Sequence, residues 1–146
     1  MSARELVPQV IPAAMTFSPE SSAAILEIAY LAIFADHKLS DEELGAFGGI
    51  VARLSPKRTV DQVLDDLQDR TAGVDNDERL RELGSTLAPA EREVAYQIAY
   101  ALGLCDLDSS DEEFEFDLQL VDALELDGDR ADELADRVMR LFNPEE

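Results

Sequence analysis

Apolar residues recur at three- and four-residue steps along most of the chain, which is the period of a one-sided helix. Leu44, Phe47, Val51 and Leu54 mark one such face, and Val60, Val63, Leu64 and Leu67 the next. Leu80, Leu83 and Leu87 follow, then Phe114, Leu118, Val121 and Leu124, then Leu134, Val138 and Leu141. The segment from Pro19 to about Ala35 is apolar nearly all round, the mark of a central helix surrounded by others. Pro89 opens a second long apolar helix running to about Cys105. Ser18-Pro19 reads as a cap followed by proline in the first turn. Ser40 and Ser110 start helices, Thr59 starts another with Gln62 three residues on, and Pro56 stops one. GVDND at 73–77 reads as a loop and DGD at 127–129 as a turn. Pro8 and Pro12 interrupt the opening, so residues 1–16 read as an N-terminal arm or a short helix. No period-two alternation lasts long enough for a strand. The pattern predicts an all-α domain of about seven helices over residues 17–143.

The chain also repeats itself. Aligned without a gap at an offset of 70, IAYLAIFADHKLSDEEL (28–44) and IAYALGLCDLDSSDEEF (98–114) share eight of 17 residues: Ile, Ala, Tyr, Asp, Ser, Asp, Glu and Glu. The apolar register continues, with Val51 matching Val121 and Leu54 matching Leu124. Each copy supplies a buried helix, a turn and an amphipathic helix. Two such hairpins pack naturally about a pseudo-twofold axis, each covering the face the other cannot bury alone.

Two readings of the repeated joint stand side by side. In the structural one, Ser40 with Glu43 and Ser110 with Glu113 are capping boxes. The serine oxygen accepts from the backbone three residues on, and the glutamate reaches back. Asp36 and Asp106 then hold the turn where the preceding helix ends. In the functional reading the same oxygens are hard ligands on a tight turn, as Ca²⁺ or Mg²⁺ requires. Asp36, Asp41, Glu43, Asp106, Asp111 and Glu113 are the candidate metal ligands, with Asp108 adding to the acidic face. A calcium hand is excluded. With Glu43 in the last loop position, the first and third positions fall on Ala32 and Phe34, and in the second copy on Leu102 and Leu104. The loop glycine is absent from both copies.

Charge sharpens the picture of partners. The 146 residues carry 33 Asp and Glu against 12 Lys and Arg, a formal charge of −21, with 46% hydrophobic residues. Such a surface repels nucleic acid and anionic lipid, and attracts divalent cations and basic protein surfaces. Acidity that serves only solubility is the plainer alternative. The single cysteine, Cys105, permits no intrachain disulfide and fits a reducing, cytoplasmic setting. The longest apolar run, 23–35, contains Glu27 and is too short to span a bilayer, which takes about 20 residues. Direct membrane insertion is therefore not expected.

Other chemistry is sparse. His37 is the one histidine, and no Gly-rich phosphate loop, CxxC or HExxH occurs. Glu27 and Gln97 occupy equivalent places in the two apolar helices. Buried polar groups need partners, so an interhelical hydrogen bond is expected for each. A catalytic carboxylate at Glu27 is the competing reading.

The paired Asp-x-x-x-Ser-x-x-Glu joints, each after an apolar helix in an all-helical chain of this size, resemble the TerB-like family, named for tellurite resistance. The family pattern, roughly A-D-G-x-h-S-x-x-E with h apolar, is matched by Ala35-Asp36-His37-Lys38-Leu39-Ser40-Asp41-Glu42-Glu43. Cys105-Asp106-Leu107-Asp108-Ser109-Ser110-Asp111-Glu112-Glu113 is the second copy. The family glycine is replaced by His37 and Leu107, and the apolar residue by Ser109 in the second copy. The resemblance spans roughly residues 17–143. It implies a seven-helix fold without established catalysis and weak divalent-cation binding (Ca, Mg, Mn or Zn) at the acidic turns. It also implies a role in stress-response or membrane-associated protein assemblies. The leading expectation is thus a non-enzymatic binding module for a divalent cation or a basic partner. A structural adaptor and a metal-dependent enzyme are the alternatives.

Overall fold

A serine cap, a capping box, an aspartate cap and three prolines divide the chain into its helices. The computed structural model describes residues 7–12, 15–33, 41–104 and 111–142. A 3-10 turn at Val7–Val10 precedes α1 (Pro19–Ile33), α2 (Asp41–Leu54), α3 (Val60–Thr71) and α4 (Asn76–Thr86). Then come α5 (Pro89–Leu104), α6 (Asp111–Ala123) and α7 (Gly128–Phe142). No strand occurs among the described residues, so the expectation of an all-α fold holds.

The caps explain most of these limits. Ser18 Oγ accepts the Ser21 N–H at 3.1 Å ahead of Pro19. Thr59 and Gln62 form a full capping box, at 3.1 and 3.0 Å. Asp75 Oδ1 accepts from the Asp77 and Glu78 amides, at 3.0 and 3.4 Å. Each such cap stabilises by about 1 kcal/mol. The loop expected at 73–77 is therefore shorter, ending at the cap Asp75, with Asn76 and Asp77 already helical. The turn expected at 127–129 also moves. Asp127 caps α7, its carbonyl accepting the Ala131 N–H at 2.9 Å, and Gly128 and Asp129 lie in the first turn of the helix.

α1 and α5 pack against each other at the centre. α1 also meets α2, α3 and α4, while α5 meets α2, α6, α7 and the 3-10 turn. Ile25, Ile28 and Ile33 of α1 and Ile98 and Leu102 of α5 are fully buried, with Phe47, Leu80, Leu120 and Leu134 from the outer helices. Burial of each such side chain stabilises by about 1.5–3 kcal/mol. The near-uniform apolarity of α1 follows from neighbours on several sides. α7 is an outer helix, with Ala131, Leu134 and Val138 buried and its other face charged. Ile11 is buried too, and Arg53 donates to the Pro12 and Met15 carbonyls at 3.1 and 2.8 Å. The N-terminal stretch is thereby tied to α2. No helix among the described residues is long and apolar enough to cross a membrane.

α4 and α6 approach closely because residue 84 has no side chain. A β-carbon on Gly84 would sit 2.7 Å from the Ala123 carbonyl oxygen. α6 ends beside this contact with two paired bonds, Leu126 N–H to Val121 O and Glu125 N–H to Asp122 O, both 3.1 Å. That arrangement needs a left-handed residue, usually glycine, yet the position holds Glu125 at φ 56°. Gly84→Ala is expected to destabilise the fold by about 1–3 kcal/mol through overpacking. Glu125→Gly should stabilise it by up to about 1 kcal/mol by relieving the left-handed strain. Urea unfolding of both variants checks the two signs.

Candidate functional site

Glu27 is the most deeply placed charge among the described residues. It sits in the middle of α1 and is 1% exposed. Arg79, one turn into α4, meets it side-on. Arg79 Nη2–H donates to Oε1 at 2.8 Å and Nε–H donates to Oε2. The remaining arm, Nη1, donates to Glu82 Oε2 at 3.0 Å. One guanidinium thus binds a buried carboxylate with its fork and an exposed one with its third nitrogen. Hydrogen bonding to Glu27 is the chief reason the Arg79 pKa is raised above its ordinary value. The expected interhelical hydrogen bond of Glu27 is present, in the stronger form of a bidentate ion pair.

The same device recurs on the other central helix. Arg130, in the first turn of α7, donates Nε–H to Glu93 Oε2 at 2.7 Å and Nη2–H to Glu93 Oε1 at 2.8 Å. Its Nη1 donates to Glu133 at 2.8 Å. The hydrogen bond from Arg130 holds the Glu93 carboxyl below its usual range, against a smaller opposing effect of burial. The expectation for Gln97 requires correction. Gln97 is half-buried and donates to the Glu93 carbonyl of its own helix at 3.3 Å. The clamped acid of α5 is Glu93, one turn earlier than the residue matching Glu27.

A third cluster lies where α5 faces α6. The Tyr96 hydroxyl and the Asp117 carboxylate influence each other there. Burial raises the Asp117 pKa, the Tyr96 hydroxyl opposes that, and the charge of Asp132 adds to the rise. Burial likewise raises Tyr96 and Tyr100. Their rings lie 6.2 Å apart.

Of the candidate metal ligands and caps, Asp36, Ser40, Asp106 and Ser110 lie outside the described residues. So do the side chains of Glu43, Asp111 and Glu113. Asp41 is exposed at the first position of α2, and Asp111 opens α6. Among the described residues no three His, Cys, Asp or Glu side chains group closely enough to hold a metal ion.

The clefts are open, and most of the charged residues lining them are already paired. One of about 470 Å³ lies beside the α4–α6 contact, and its Arg81 and Arg92 bind Asp122 and Glu125 at 3.1 and 3.3 Å. Another, of about 480 Å³, lies over the Glu27–Arg79 clamp beside Glu20 and Arg70. A neighbouring one of about 560 Å³ adds Asp75 and Glu78. A fourth, near Phe17 and Lys57, is mostly apolar. Both Glu27 oxygens are occupied by the Arg79 guanidinium, which is always charged. Comparison of the chain with family models, curated proteins and solved structures finds no match.

The clamp on Glu93 sets a pH dependence. Its folded pKa lies below the unfolded value of 4.5, so its contribution is complete above that value and fades as pH falls through the folded one. Glu93→Gln should therefore lower stability at neutral pH and flatten the acid limb. Thermal unfolding from pH 7 to pH 2 in both proteins reads the difference.

Proposed function

We propose that this chain is a non-enzymatic, TerB-like helical interaction module, built on a duplicated helical unit, that presents an acidic face to a basic protein partner. The apportionment of charge supports this reading. Arginines 79, 81, 92, 130 and 140 all make ion pairs within the molecule. The excess of acids is left to solvent. Saturation of Glu27 by Arg79 favours a structural role for that residue over a catalytic one.

Burial supports duplication. Ala24, Ile25, Leu26, Ile28 and Ile50 are buried, and so is each residue 70 positions on, Val94, Ala95, Tyr96, Ile98 and Leu120. At an offset of 71, Val63 and Leu67 of α3 match Leu134 and Val138 of α7, again all buried. The correspondence thus extends to three helices in each half, with α4 between them.

The observation that carries the functional reading is the outer face of α3. Asp61, Asp65 and Asp69 recur at four-residue steps and all are exposed. Among the described residues none of the three has an ion-pair partner. Like charges at this spacing destabilise a helix by about 0.2–0.5 kcal/mol per pair. Folding alone does not call for such a row, whereas a basic partner would neutralise it.

Asp65→Lys turns two repulsive contacts into attractive ones. It should stabilise the protein by about 0.8–2 kcal/mol and weaken binding of a lysine-rich peptide several-fold at moderate salt. Asp132→Lys on α7 makes the same change in net charge away from the row and should weaken that binding less. Equal losses in both variants, in a fluorescence anisotropy titration, would show a response to bulk charge and remove the assignment to α3.

A further inference from the structure

We infer that the cleft between the start of α1 and the α2–α3 turn docks an acidic peptide segment with apolar anchor side chains. This goes beyond the acidic face of α3 and involves a partner of the opposite sign. The cleft, of about 400 Å³, is lined mainly by apolar atoms. Phe17, Ala23, Leu26 and Leu54 make its floor, and Lys57 and Arg58 stand on its rim. Phe17 and Leu54 are half-buried against the core, so the floor is held by the fold. Side-chain ordering on binding therefore costs little there.

Charge selects the occupant. The other three clefts each hold two or three carboxylates among their lining residues, and this one holds none and two cations. In a chain of charge −21, that is a local reversal of sign. The first turn of α1 also borders the cleft through Pro19 and Ser22, bringing the positive end of the helix dipole. Arg58 reaches the Gln62 carbonyl at 3.4 Å and Asp66 only at 3.6 Å. These are long, exposed contacts that a closer carboxylate can displace. Compensation of the α2 dipole accounts for cations at positions 57 and 58. It does not account for the apolar floor left open beside them. An amphipathic acidic segment answers both, with leucine or phenylalanine on the floor and carboxylates on the rim.

An acidic probe is repelled by most of this surface, so its binding is diagnostic. The probe is a short acetylated, amidated peptide of glutamates with two leucines and one phenylalanine at three- and four-residue spacing. It is titrated into the ¹⁵N-labelled full chain at moderate salt. Amide shifts should concentrate at residues 17–26 and 54–58. Lys57→Glu with Arg58→Glu should weaken binding about tenfold or more. Ala23→Glu, a helix-compatible change that places a carboxylate on the floor, should weaken it similarly, with circular dichroism confirming that both variants fold. Absence of localised shifts at millimolar peptide would overturn the inference. So would undiminished binding by the folded variants, or occupation of this same cleft by the lysine counterpart of the peptide.

Discussion

A carboxylate in the middle of an apolar helix must be matched or the helix cannot be buried. Glu27 is that carboxylate, and Arg79 is its match. Burying an unpaired ion costs several kcal/mol, comparable to the net stability of a small domain. The central position of α1 therefore depends on α4 arriving in the one register that aims the Arg79 fork at Glu27. Gly84 lets the far side of the same helix approach α6. α4 is thus positioned by an ion pair on one side and by the lack of a side chain on the other.

The second clamp makes this a principle of the architecture. α5 is held to α7 through Glu93 and Arg130 as α1 is held to α4 through Glu27 and Arg79. In both, a first-turn arginine places its fork on the central helix and its third nitrogen on the glutamate three residues later in its own helix. That glutamate engages the guanidinium nitrogen which the fork leaves free. Of the chain's 12 Lys and Arg, two form these clamps, and Arg58, Arg70, Arg81, Arg92 and Arg140 make other ion pairs within the molecule. The acidic surface and the clamped interior are two results of one scarcity of positive charge.

Much of the fold was legible in the sequence. Helix period located the helices, and Ser18, Thr59, Pro56 and Pro89 marked limits that the structure keeps. These signals are local, so a single sequence carries them. Other features depended on tertiary context. Glu27 was recognisable as a polar group in need of a partner, but Arg79 lies 52 residues away and competes with other arginines. A local signal did exist: Arg-x-x-Glu-Leu occurs at 79–83 and again at 130–134. Gln97 misled because the offset of 70 predicts equivalence, whereas α5 carries its clamped acid one turn earlier. The end of α6 was obscured because Glu125 occupies a left-handed position where glycine usually gives the cue, and Gly128, the nearby glycine, lies inside a helix. The acidic joints at 36–43 and 106–113 drew the most attention in the sequence, while the row on α3 emerged only once exposure was known.

Coupling between Glu27 and Arg79 tests the account most directly. It is read from the unfolding free energies at neutral pH of Glu27→Leu, Arg79→Met and the variant carrying both. Each single change should be costly, with Arg79→Met losing about 3–5 kcal/mol because it strands a buried carboxylate. The double variant should recover most of that loss, since a packed apolar pair replaces the ions without leaving a charge behind. Losses that simply add would contradict the account, because the two residues would then be contributing independently and the clamp would not be what sets α1 against α4.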